Sequence, residues 1–168
     1  MISAHSPAWA RHVSTLLGIG YLKPAPGTWG SAAAVPLAWL IHWAGSFPLL
    51  ALASVAVFGL GTLAIGRLDG AKDPAEVVID EVAGQWVALL PLSAGLWMAG
   101  SLPYVFPWPG WLGAFLLFRL FDIWKPGPVG WADRKEGPVW VMLDDVLAGI
   151  AAALITTAAA AVAHGWLM

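Results

Sequence analysis

Cysteine is absent from the 168 residues. That excludes disulfides, thiolate nucleophiles and cysteine-based zinc sites, and leaves the redox compartment open. Charge is scarce as well. Only 11% of residues are Asp, Glu, Lys or Arg, against roughly 25% in an ordinary soluble domain. The formal net charge of −2 offers no basic surface for a nucleic-acid partner. The N-terminus is a poor match to a signal peptide, because its apolar run is short and no clear small-residue cleavage site follows. Apolar residues, by contrast, make up 60% of the chain, and mean hydropathy is +0.76. A chain so poor in polar groups points to lipid as its solvent.

The missing charges are also unevenly missing. Arg11 and Lys23 form one sparse cluster, a second runs over 67–81, and a third over 119–145. Residues 24–66, 82–118 and 146–168 carry no Asp, Glu, Lys or Arg. A membrane helix needs about 20 apolar residues. The first uncharged stretch has a turn signal at Gly45-Ser46-Phe47-Pro48, and the second a proline-rich break over 103–109. Each accommodates two passes, and the last accommodates one. The expected fold is therefore all-α: a single membrane-embedded domain over 1–168, a multi-pass helical bundle of about five membrane segments. The segments over 31–43 and after Pro109 are short enough to be re-entrant or tilted. Paired passes return all three charged clusters to one face, which the positive-inside rule makes cytoplasmic.

Asp73-Pro74-Ala75-Glu76 reads as a helix start, with Asp73 as cap, Pro74 at the first helical position and Glu76 completing a capping box. That helix would continue through Asp80 and Glu81. The design recurs: "PAEVVIDEV" from Pro74 matches "PVWVMLDDV" from Pro138. Asp80 aligns with Asp144 and Glu81 with Asp145. Gly84 follows Asp80 by four residues and Gly149 follows Asp145 by four, so each glycine shares a helix face with an acid. Small residues there let two helices approach closely.

Four carboxylates drawn together repel one another and are costly to desolvate without a cation. Mg²⁺ suits such a set, because it takes oxygen ligands and combines a few carboxylates with substrate phosphate. His5, His12, His42 and His164 show no ligand spacing. In "FRLFDIWKP", Arg119 and Asp122 lie at i and i+3. Asp122 fits a metal ligand, a general base or an ion-pair partner of Arg119. Arg119 and Lys125 suit a phosphate, or simple anchoring at the membrane surface. In "GIGYLKPAPGTWGS", Gly27, Thr28, Gly30 and Ser31 open an apolar helix near Lys23, an arrangement that favours anions and that a plain turn explains equally.

Together, "GIGYLKPAPGTWGS", "VIDEVAGQW", "FRLFDIWKPGP" and "VMLDDVLAG" resemble the phosphatidylglycerophosphatase A family, in the family's order, over Gly18 to Gly149. The resemblance implies a multi-pass, Mg²⁺-dependent lipid phosphatase of the bacterial inner membrane. Such an enzyme removes the terminal phosphate of phosphatidylglycerophosphate to leave phosphatidylglycerol. It implies a catalytic centre of Asp80, Glu81, Asp122, Asp144 and Asp145, with Asp80, Glu81, Asp144 and Asp145 on the metal. Lys23, Gly27, Thr28, Ser31, Arg119 and Lys125 would lie near the phosphate. The approach to Asp144 departs from the family's glycine-rich pattern, reading Gly137-Pro138-Val139-Trp140. Both a water nucleophile with a carboxylate base and a carboxylate nucleophile are compatible with these residues. So are two other classes: a CDP-alcohol-type phosphotransferase, of which "RLDGAKD" carries only a fragment, and a non-enzymatic cation-coupled transporter.

Overall fold

The computed structural model describes residues 1–69 and 74–167, with side chains to 163. The fold is 75% helix, with no strand among the described residues. In chain order the helices are α1 (Ala8–Ser14), α2 (Pro26–Ile65), α3 (Ile79–Met98), α4 (Trp108–Trp124), α5 (Pro128–Asp133) and α6 (Pro138–Leu167). Two stretches, Pro26–Ile65 and Pro138–Ala163, are long and apolar enough to cross a membrane by length and composition.

The helical run of α2 is broken at Gly45 and Ser46, whose dihedrals leave the helical region, Ser46 with φ of 55°. This is the turn expected from Gly45-Ser46-Phe47-Pro48. Gly30 in the first limb packs on Val78, and Gly61 in the second approaches Ile79. A straight helix would hold those two glycines about 45 Å apart. Meeting neighbouring residues of α3 requires the limbs to fold back on each other, so α2 is a helical hairpin.

The centre of the molecule is α3. Val82, Ala83, Gly84, Gln85, Trp86 and Leu89 are all buried, enclosed by α2, α4 and α6. Trp86 donates its indole N–H to the Ala34 carbonyl at 2.9 Å, and buried His42 pairs with Ser93 at 2.7 Å. Both bonds tie α3 to the first limb of α2 and satisfy polar atoms that would otherwise be stranded in an apolar core. The outer faces of α2 and α6 are apolar, with Leu52, Val55, Leu63, Leu154 and Val162 exposed.

The helix start expected at Pro74 is corrected. Asp73 lies outside the described residues, and 74–78 are non-helical. The first helical residue is Ile79, and Val78 occupies the cap position with no side-chain cap. The amide of Val78 is already engaged, donating to the Ser14 carbonyl at 2.8 Å. A tertiary bond to α1's last residue therefore outcompetes the local capping box. Glu76 lies 3.9 Å from the terminal amine instead. The matching start at Pro138 is observed.

Candidate active site

Four helix ends converge on one cavity of about 760 Å³. Its wall takes Pro26 and Gly27 from the start of α2, Asp80 and Glu81 from the start of α3, Arg119, Asp122 and Lys125 from the end of α4, and Asp144 and Asp145 from α6. Residues of the second and third charged clusters, separate in sequence, thus line one cavity.

The glycines bring the acids together. A Cβ on Gly84 would sit 2.5 Å from the Asp145 carbonyl oxygen and 2.5 Å from the Phe118 ring. A Cβ on Gly149 would collide with the Gly84 carbonyl. Backbone therefore packs on backbone where α3 crosses α6. Their acid pairs are held close because neither helix carries a side chain at the crossing. Phe118, fully buried on Gly84, anchors α4 there and fixes the adjacent Arg119.

Asp80, Glu81 and Asp145 each present an oxygen within 4.8 Å of the others. Glu81 Oε2 and Asp145 Oδ2 are buried with no hydrogen-bond partner among the described residues. Buried carboxylate oxygens without donors are expensive, and three converging hard oxygens could hold a hard divalent cation. Asp144, the fourth acid of the expected set, points elsewhere: it accepts a hydrogen bond from Lys125 Nζ at 3.0 Å. Asp122 pairs with Arg119 at 2.6 Å, which realises the ion-pair alternative for that residue.

Arg119 is the hub of the cationic side. It lies 3.9 Å from Glu81 and donates to Ser31 Oγ at 3.4 Å. Ser31 Oγ in turn donates to the Gly27 carbonyl at 2.8 Å. A Cβ at Gly27 would overlap Glu81 Oε1, so glycine is required there for the start of α2 to approach the acids. No side chain caps that helix start, which leaves its first-turn amides available to an anion. Of the expected phosphate ligands, Gly27, Arg119 and Lys125 line the cavity, whereas Thr28 and buried Ser31 are not part of its lining. Lys23 is exposed and outside it.

Three residues were not singled out from the sequence. Asp133, on α5, accepts a hydrogen bond from Lys125. Burial acts to lower the Lys125 ammonium pKa, but its hydrogen bonds to Asp133 and Asp144 outweigh that and leave it raised. Lys135 lines the cavity, its Nζ 5.2 Å from the centre of the Trp131 ring and 5.8 Å from that of Trp140. Gln85, one turn beneath Glu81, is fully buried with neither amide atom hydrogen-bonded among the described residues. Its position at i+4 from Glu81 was the available signal; no spacing rule links α5 to Lys125.

Fold and site define an all-helical protein whose helix ends assemble a carboxylate centre beside an arginine, a lysine and a free helix start, the equipment of a phosphate-handling enzyme. Residues 12–160 match the family model described as Phosphatidylglycerophosphatase A. The phosphatidylglycerophosphatase A of Escherichia coli (strain K12) is 32% identical over 147 residues, covering 82% of this chain and 78% of that protein. That of Haemophilus influenzae is 33% identical over 146 residues, covering 84% and 82%. A third relative, from Bacteroides thetaiotaomicron and provisionally named a phosphatidylinositol-3-phosphatase, is 34% identical over 145 residues, covering 82% and 85%. No solved structure matches the chain. The chain belongs to the phosphatidylglycerophosphatase A family, and with it to the phosphatases.

Proposed function

We propose that this protein hydrolyses the terminal phosphate monoester of phosphatidylglycerophosphate, giving phosphatidylglycerol and phosphate, with Mg²⁺ held by Asp80, Glu81 and Asp145. The observation that carries the reading is the converging carboxylate trio, with one buried oxygen each of Glu81 and Asp145 lacking a donor among the described residues, beside Arg119 and Lys125 in one cavity. The family supplies the substrate class. We place the protein in the bacterial inner membrane with about five membrane segments, α2 providing two, and with the cavity on the cytoplasmic face. Arg119, Lys125 and Lys135 around the cavity support that orientation.

A bound Mg²⁺ would supply Lewis-acid stabilisation of charge on the phosphoryl oxygens. The protein's own groups do the rest. Arg119, held by Asp122, presents its guanidinium to the phosphate, and the amides at the start of α2 add neutral donors. Lys125 stays protonated and offers a positive charge beside Asp144. A carboxylate of the centre accepts the proton of the attacking water, or itself attacks phosphorus. Acid quench of a single turnover with ³²P-labelled lipid separates these, since only the second route passes through an acyl phosphate on the enzyme.

The acids stand at the first turn of α3 and about two turns into α6. That position at the helix mouths suits a headgroup at the membrane surface better than an ion path through the membrane centre, and favours the phosphatase over a transporter. The test is phosphate release by the purified protein from phosphatidylglycerophosphate, with Mg²⁺ or with excess chelator. Phosphatidic acid and phosphatidylinositol 3-phosphate serve as comparison substrates. Mg²⁺-dependent release, fastest from phosphatidylglycerophosphate, is expected. Release indifferent to chelator overturns the metal assignment, and no release from any lipid by folded protein overturns the function.

A further inference from the structure

A second hollow of about 590 Å³ lies away from the acidic cavity, between the first limb of α2 and α4. Its walls are Ala32, Val35, Pro36 and Trp39 on one side and Trp111, Leu112 and Phe115 on the other. No charged residue lines it among the described residues. We propose that this groove holds one acyl chain of the glycerophospholipid whose phosphate occupies the acidic cavity. The proposal rests on the lipid-phosphatase reading and adds to it where the chain goes.

Continuity with the active site carries the argument. Both walls belong to helices that also wall the acidic cavity: Gly27 precedes Ala32 on α2, and Arg119 follows Phe115 on α4. Along α2, Ala32 and Trp39 lie about 8 and 18 Å beyond Gly27, and along α4, Phe115 and Trp111 lie about 6 and 12 Å from Arg119. In depth along the two helices, the groove therefore spans from just past the headgroup site to about one leaflet, half of a roughly 30 Å hydrocarbon core.

Tyr104 and Phe106 of the loop before α4 line its far end. The Trp39 indole donates to the Tyr104 carbonyl at 3.1 Å, and the Phe106 ring lies 5.6 Å from that of His42. The loop before α4 is thereby pinned across the floor at the level of Trp39. A hollow walled by the same two helices as the headgroup site, apolar along its length and confined to about one leaflet in depth, fits a lipid tail.

The test uses Ala32→Phe and Val35→Phe, which fill the groove without touching the acidic cavity. Each is assayed on long-chain and dihexanoyl phosphatidylglycerophosphate. The expected result is a fall in kcat/KM of about tenfold on the long-chain lipid, carried by KM, with the dihexanoyl lipid within about twofold of wild type. Equal loss on both lipids, or no loss on either, overturns the groove as a substrate site. Photolabelling with a phosphatidylglycerophosphate carrying a diazirine on one acyl chain, in chelator, needs no turnover. Adducts concentrated on residues 32–39 and 111–115, and displaced by Ala32→Phe, are expected. Adducts spread evenly over the outer faces of α2 and α6 overturn the proposal. Absence of phosphate release in wild type, by contrast, sinks the phosphatase reading while the labelling map still decides the groove.

Discussion

Replacing one carboxylate of the trio by its amide removes charge while preserving shape. In Asp145→Asn, turnover should fall at least about a hundredfold, the scale seen when metal centres lose a supporting group. Stability should move the other way. Asp145 is buried beside two other acids, and removing an uncompensated buried charge relieves repulsion. Thermal unfolding in chelator is expected to show the variant at or above the wild-type midpoint. Added Mg²⁺ should raise the wild-type midpoint alone, because a ligand stabilises only the state that binds it. A second residue-scale prediction concerns Lys125, whose folded pKa is raised. Its bonds to Asp133 and Asp144 are complete below the usual lysine range and are lost only as pH rises through the raised value. Asp133→Asn removes one support, so the alkaline fall of activity should begin at lower pH than in wild type, read from kcat/KM against pH. An unshifted profile would mean that Lys125 protonation does not limit the reaction.

Among the elements, the α3–α6 crossing is the joint on which the site depends. Gly84→Ala would push a methyl group into the Asp145 backbone and the Phe118 ring. Overpacking typically costs about 1–3 kcal/mol, and here it would also separate the acid pairs. Both the unfolding midpoint and kcat should drop. Gly95→Ala, on the same helix with open space around it, is the control. It should be neutral or stabilising by up to about 1 kcal/mol. The crossing was legible in sequence because Gly84 and Gly149 repeat at matched distances from acids. The start of α3 was not, because proline, acid and spacing all favour a local cap at Pro74. The Ser14 carbonyl that claims the Val78 amide is distant in the chain, and no local pattern announces it.

For the whole molecule, the absence of cysteine becomes an experimental asset. Single cysteines at Ser101 and at Glu136 give a background-free map of orientation. Ser101→Cys should react with a membrane-impermeant maleimide in intact spheroplasts, whereas Glu136→Cys should react only after lysis. The reverse pattern would put the acidic cavity outside.

Local patterns along the chain were enough to indicate an all-helical protein, the hairpin turn at Gly45-Ser46 and five of the acids that line the cavity. Periodic apolar stretches and charge-free runs are local properties, and helices follow from local rules. Which acids meet was decided only in three dimensions. Asp144 and Asp145 are neighbours in sequence, yet successive residues on a helix point about 100° apart. One therefore joins Asp80 and Glu81, and the other turns to Lys125. The partner Asp133, the buried position of Ser31 and the groove between α2 and α4 likewise exist only once separate helices pack, because each depends on contacts between residues far apart in the chain.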